Sequence, residues 1–277
     1  MFEKGSEWRR WDLHVHTPNT KKNDSYKGQN LEEKWKNFYS AIAKYVNSDD
    51  ERKKVSVIGI TDYLAIDNYK KVVADGILSK YVLGIFPNVE MRITPTGKKS
   101  PVNIHFIFNP DFVDQLENRF FSQLEFECGR KYHATKSDLI ELGKKMGEDN
   151  EEEAYKKGIE QFVPSYTAIS ELFKNDPQLR ENTLIGVANS SNDGASGINK
   201  GEGGDQLSLT RFAVYRICDF IFSSSENDIK YFLGKGVDNE DKVKEKCGSL
   251  KPCFHGSDAH CIEKLFEPDN SIYCWIK

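Results

Sequence analysis

The sequence is short of several things, and each shortage removes a class of explanation. It has no surplus of positive charge: 39 Lys and Arg stand against 43 Asp and Glu, a formal net charge of −4. A protein that grips nucleic acid over a wide phosphate footprint ordinarily carries a basic excess. That footprint is excluded for the chain as a whole, and only a local basic groove stays open. No run approaches the ~18 consecutive apolar residues of a membrane-spanning helix, so no membrane partner is expected. The opening MFEKGSEWRRWDLH lacks the apolar stretch of an export signal, which makes a cytoplasmic location the expectation. The six cysteines include no C-x-x-C pair. Cys247, Cys253, Cys261 and Cys274 crowd the end of the chain, but their spacing fits no compact zinc module. Free thiols are the expectation. There is no internal repeat and no P-loop.

What is present suits one sizeable core. The 277 residues are 38% hydrophobic and 12% aromatic, and the whole of 1–277 reads as a single domain. Short apolar, β-branched runs recur at Trp11–His16, Val55–Thr61, Tyr81–Phe86, Val102–Phe108, Thr183–Ala188, Phe220–Ser223 and Cys253–Gly256. Such runs suit strands buried on both faces of a parallel sheet. Helices fit between them at Leu31–Val46, Tyr69–Leu78, Asp205–Ile217 and Glu226–Leu233. In the first, Leu31, Trp35, Phe38, Tyr39, Ile42, Ala43 and Val46 fall on one helical stripe. Alternating strands and helices predict an α/β fold, and seven strand segments are consistent with a barrel.

One stretch breaks the rhythm. Residues 109–182 read as a charged helical insertion, with helices at Phe112–Leu124, Ser137–Met146 and Tyr166–Phe173 and an acidic solvated turn at Glu148–Glu153. A second irregular stretch, Asn189–Asp205, reads as a long loop after a strand. Loops there carry function in barrels.

Histidine placement is the strongest chemical signal. Of six histidines, only His133 falls in the insertion; His14, His16, His105, His255 and His260 sit in or beside strands. His14 and His16 share one side of a strand because side chains alternate. Asp258 and His260 repeat that spacing, Glu90 follows a strand, and His105 lies inside an apolar one. In a parallel barrel such strand ends converge on one face. Nitrogen and oxygen ligands without thiolates suit manganese, zinc or iron. Taken singly, a buried histidine is more often a hydrogen-bonded core residue than a ligand, and it is their concurrence that points to a metal.

The motifs DLHVH, ITD at Ile60–Asp62, NVE at Asn88–Glu90, NIH at Asn103–His105 and GSDAH together resemble the PHP (polymerase and histidinol phosphatase) family, from Trp11 to His260. More narrowly, WDLHVHTP, ITDY and KPCFHGSDAH resemble the PHP domain that opens TrlF-like ATPases, where an SMC-like ATPase region follows. On that resemblance the chain is an excised domain. The resemblance implies a distorted seven-stranded, TIM-like β/α barrel, here with the insertion between strands four and five, and up to three metals. Carried over, His14, His16, Glu90 and Asp258 hold one metal. Glu90 bridges to a second that His105 also binds, and His260 belongs to a third site. The chain departs from the pattern at Tyr63, where three-metal relatives have histidine, and at Asn189, where a strand-ending histidine is usual. The histidine expected shortly after H-x-H is also missing, leaving Asp24 as an oxygen ligand in reserve. One or two divalent ions are therefore expected.

The resemblance also implies an activity: metal-dependent hydrolysis of a phosphodiester or phosphomonoester, with DNA, RNA or a nucleotide as substrate. It would act beside an ATPase region or partner, in phage defence. Arg92 is the best phosphate-binding candidate, a surface ion pair being the alternative for it, and Lys200 and Lys251 are weaker ones. His255 is placed as general acid or as a hydrogen-bond donor, Asp62 as the brace of a ligand imidazole, and Tyr63 as a substrate contact. The alternative is a catalytically degenerate metal-binding module that docks or regulates.

Overall fold

A computed structural model describes residues 7–50, 54–198 and 208–277. Its strands are β1 (Arg9–His16), β2 (Val55–Tyr63), β3 (Gly84–Thr96), β4 (Pro101–Phe108), β5 (Glu125–Glu127), β6 (Lys131–His133), β7 (Thr183–Ala188), β8 (Phe220–Phe222), β9 (Cys253–Phe254) and β10 (Cys274–Ile276). The α-helices are α1 (Leu31–Val46), α2 (Asp67–Asp75), α3 (Lys136–Lys145), α4 (Glu151–Gln161), α5 (Tyr166–Asn175), α6 (Pro177–Glu181), α7 (Ser208–Ile217), α8 (Glu226–Phe232) and α9 (Glu240–Cys247). The class is the expected one, α/β of the distorted β/α-barrel kind. The chain divides into two compact units: Met1–Val89 with His255–Lys277, and Glu90–Phe254.

In the first unit the hydrogen-bonded strand order is β10-β1-β2-β3. β1 and β2 are parallel, and β10 adds to the far edge of β1 antiparallel, Arg9 opposite Ile276 and Trp11 opposite Cys274. α1 starts where Asn30 accepts the amide of Glu33 and buries Trp35, Phe38, Tyr39, Ile42 and Val46. This is the stripe read from the sequence, except that Leu31 at its start is exposed and Ala41 is buried where Ala43 was expected. α2 ends at Gly76 in the left-handed region, φ 63°, sooner than the predicted Leu78. Leu78–Lys80 forms a separate 3₁₀ turn.

In the second unit the order is β3-β4-β7-β8-β9, β3 being the strand whose residues belong to both units. Its strands are not all parallel, contrary to expectation. β4 pairs antiparallel with β7 along Ile104–Phe108, while β7, β8 and β9 are mutually parallel. Only residues 97–100 join β3 to β4, and so short a connection can link only antiparallel neighbours. β3 also runs on through Glu90 and Arg92 to Thr96, so Glu90 lies within a strand rather than after one.

The 109–182 stretch is helical as predicted at α3 and α5. The acidic run, read as a turn, is instead the start of α4. Asn150 accepts the amides of Glu152 and Glu153, and carboxylates in a first turn suit the helix dipole. The predicted helix over Phe112–Leu124 is a 3₁₀ segment and a π-helical turn, and a small hairpin, β5-β6, was not foreseen. Of the predicted helix Asp205–Ile217, the part before Ser208 lies outside the described residues, as does Lys200. Among the described residues no helix is long and apolar enough to cross a membrane.

Candidate metal centre

The first unit gathers imidazoles and a carboxylate through two close backbone approaches. A Cβ at Gly59 would stand 2.3 Å from the Leu13 carbonyl oxygen, so glycine there lets β2 lie tight against β1. A Cβ at Gly256 would stand 2.5 Å from Cβ of His14, so glycine there lets the segment after β9 lie on β1 as well. Three backbone bonds fix that segment. The amide of Ser257 donates to the Asp12 carboxylate at 3.2 Å. The amide of Asp258 donates to the His14 carbonyl at 2.9 Å, and the amide of His16 to the Ala259 carbonyl at 3.1 Å. Asp258 sits at φ 47°, a left-handed conformation that Asp tolerates better than most residues.

Four side chains converge as a result. Nε2 of His14 lies 3.3 Å from Nε2 of His16. Oδ1 of Asp258 lies 3.2 Å from His14 Nε2, 3.5 Å from His16 Nε2 and 3.4 Å from His260 Nε2. These separations decide what the cluster fits. Two donors bonded to one ion at ~2.0–2.1 Å and a tetrahedral angle stand about 3.3–3.4 Å apart. The triangle of His14, His16 and Asp258 has the edges of one face of such a polyhedron, and the donor set is that of a borderline or hard divalent cation.

The network also sets the ring nitrogens. His16 Nδ1 faces the Thr20 hydroxyl at 3.2 Å, and that hydroxyl donates to Asp62 Oδ1 at 3.1 Å. With the hydroxyl proton committed to Asp62, Thr20 can only accept from His16. The imidazole proton therefore sits on Nδ1, and the Nε2 lone pair is left for a cation. Asp62 thus reaches the His16 imidazole at one remove, through Thr20. It is itself held by the amides of Lys21 and Tyr63 and by Asn68. The His16 ring stacks with His260, at 4.0 Å, and with Tyr63, at 4.9 Å. Nδ1 of His260 is buried with no partner among the described residues.

Burial pushes the carboxyls of Asp12 and Asp62 above the ordinary range, against the downward pull of the amides of Ser257 and His14 on one and of Lys21 and Tyr63 on the other. A cation nearby would oppose that push. Burial likewise lowers the His255 pKa, against Asp269, which raises it. Nε2 of His255 is buried with no partner among the described residues.

The remaining candidates are placed as follows. Asp24 spends both oxygens on its own loop and α1, accepting from the amides of Asn19 and Tyr26 and from Lys34. In the second unit Glu90 is buried and accepts from the Asn103 side-chain amide at 2.7 Å. His105, also buried, lies edge-on to Phe222. Arg92 donates to Asp193 at 3.1 Å and to the Pro101 carbonyl, the ion pair that competed with its phosphate-binding reading. Lys251 is buried against the Cys218 carbonyl and is unsuited to meet a phosphate. Asn189 accepts from the Tyr215 hydroxyl at 2.6 Å.

Sequence reasoning gave no role to Thr20, Asp12 or Asn88, which donates to the Leu13 carbonyl and to the Thr61 hydroxyl. Asp12 had a signal, since it shares the alternation of His14 and His16. Thr20 had none.

No family model matches the chain, and no curated protein matches it. Among solved structures, a chain from Bifidobacterium adolescentis, provisionally described as a metal-dependent phosphoesterase, is 11% identical over 96% of this chain and 92% of its own, with a TM-score of 0.44. A likeness that distant carries no argument.

Proposed function

We propose that the chain is a metal-dependent phosphoesterase of the PHP kind. The observation that carries the proposal is the triangle of His14 Nε2, His16 Nε2 and Asp258 Oδ1, with edges of 3.2 to 3.5 Å. The ordered motifs DLHVH and GSDAH supply the reaction class. His14, His16 and Asp258 would hold the first ion, and His260 stands ready to share Asp258. The motifs add Glu90 and His105 as further ligands, on sequence grounds alone. When bound, a divalent ion supplies electrostatic stabilisation of charge building on phosphoryl oxygens. Manganese, zinc and iron all suit the donors.

The chain's own residues supply the rest. Thr20 and Asp62 keep His16 in the tautomer that leaves Nε2 bare. Asp12 ties the Asp258 segment to β1. His255 keeps the general-acid or hydrogen-bond-donor role that the motif reading gives it. A nucleotide or nucleic-acid substrate, and work beside an ATPase region in phage defence, belong to the proposal through the resemblance to TrlF-like proteins.

A second reading, a metal-holding docking module without turnover, is favoured by Tyr63 and Asn189, which stand where catalytic relatives carry imidazoles. One experiment separates the two. The purified protein is analysed for bound metal and assayed on p-nitrophenyl phosphate and its diester with each divalent ion. The phosphoesterase reading expects bound metal and turnover, both lost in His14→Ala. Bound metal with no turnover under any ion assigns the chain to the docking module, and no bound metal rejects both.

A further inference from the structure

The second unit carries a groove of about 360 Å³ that the metal chemistry does not use. It opens where β7 ends, between α7 and α8, and its lining combines aromatic rings with two donors that have no acceptor among the described residues. The Arg211 guanidinium lies 5.5 Å from the Phe212 ring centroid, close enough to Tyr215 and Tyr231 to act on their hydroxyls electrostatically. Among the described residues no carboxylate pairs with it. Lys246, the other cation of the groove, is by contrast bonded to Asp238 at 2.6 Å. The second donor is the side-chain amide of Asn189. Asn189 lines the groove and its Oδ1 accepts from Tyr215, while its Nδ2 has no acceptor among the described residues.

Unmatched donors call for an acceptor-rich ligand, and a guanidinium suits a phosphate best. Partly exposed aromatic faces beside it call for a flat π-system. One compact ligand combines the two. We propose that this groove is a mononucleotide site. The base packs on Phe212 and Tyr231, and the phosphate is held by Arg211 and the Asn189 amide. This assignment does not rest on the metal centre.

The test is calorimetric titration of the whole protein, stripped of metal by EDTA, with AMP, adenosine and ribose 5-phosphate. AMP is expected to saturate at one site, with adenosine and ribose 5-phosphate each at least tenfold weaker. Arg211→Gln should weaken AMP about tenfold and leave adenosine unchanged. Phe212→Ala should weaken both, with Phe212→Leu in its place if the alanine variant melts early. His14→Ala should bind AMP as the parent does, so a failed metal reading would leave this result standing. Three outcomes overturn the proposal: no saturable AMP binding at millimolar concentration, parental AMP affinity in Arg211→Gln, or binding of a short single-stranded oligonucleotide where AMP does not bind.

Discussion

Thr20 carries one hydroxyl between two groups that need it, His16 Nδ1 at 3.2 Å and Asp62 Oδ1 at 3.1 Å. Groups that orient a metal-bound imidazole are typically worth ten- to a hundredfold in metal affinity. Thr20→Val is therefore expected to weaken divalent-ion binding about tenfold or more in a competition titration with a chelating dye. Thr20→Ser should bind as the parent does and keep its melting point, whereas Thr20→Val should also melt earlier, since it leaves His16 Nδ1 and one bond of Asp62 unmet in a buried site. The clustered imidazoles of His14 and His16 were legible because strand alternation is a period of two, visible in D-L-H-V-H. Thr20 was not, because it acts through a loop that folds back on the strand end and leaves no periodic trace. Arg92 shows the opposite limit. Sequence could not choose between phosphate and ion pair, since the partner, Asp193, is distant in the chain. A second residue-scale expectation concerns pH. The Lys246 ammonium holds the Asp238 carboxyl below its ordinary range, against the upward push of burial. A depressed carboxylate pKa adds stability above the unfolded value near ~3.9, and that stability is lost as pH falls through the folded value. Asp238→Asn should therefore be less stable than the parent by about 0.5 kcal/mol near neutrality, the pair being partly exposed. The difference should vanish in urea titrations at strongly acidic pH.

At the scale of elements, α3 and α4 meet through their glycines. A Cβ at Gly143 would stand 1.8 Å from the Ala154 carbonyl oxygen, and one at Gly158 would stand 1.7 Å from that of Leu139. The two helices thus touch backbone to backbone, each supplying a glycine to the other. Alanine favours a helix over glycine by roughly 1 kcal/mol, so an exposed helical position would gain from the change. Here overpacking, typically about 1–3 kcal/mol, acts on backbone that cannot swing aside. Gly158→Ala is expected to lose about 2 kcal/mol in a urea titration, and a gain would mean the helices separate freely. This contact escaped sequence reading together with the start of α4. Glu148–Glu153 has no apolar periodicity, and the structure makes its charge useful by setting it behind the Asn150 cap. Uninterrupted apolar runs such as Thr183–Ala188 were read with their bounds intact. β3 was misplaced because Pro87, Glu90 and Arg92 interrupt its run, and antiparallel pairing of β4 with β7 depends on turn length rather than on composition.

On the scale of the molecule, the first unit is assembled from residues up to Val89 and from His255–Lys277. The sequence showed that the two pieces share a chemistry, through H-x-H and D-x-H. It did not show that β10 would pair with β1, because long-range antiparallel pairing leaves no local pattern. The candidate site lies where those pieces meet. His14 and His16 come from one and Asp258 and His260 from the other, so an ion held there would tie together segments some 240 residues apart. The metal-free unit meanwhile keeps Asp12, Asp62, His14 and His16 all buried, a charge arrangement that a cation relieves. Anything that binds only the folded state stabilises it by RT ln(1 + [L]/Kd), about 4 kcal/mol at a thousandfold excess over Kd. Saturating zinc or manganese is therefore expected to raise the melting point by several degrees and to slow amide exchange in Arg9–His16 and residues 256–260 together. In Asp258→Asn both effects should largely disappear, since the anionic oxygen is lost while the side chain is exposed and the left-handed backbone at φ 47° is one that Asn tolerates. If the metal stabilised parent and variant alike, it would be bound elsewhere, and His14, His16 and Asp258 would be no more than a buried polar cluster.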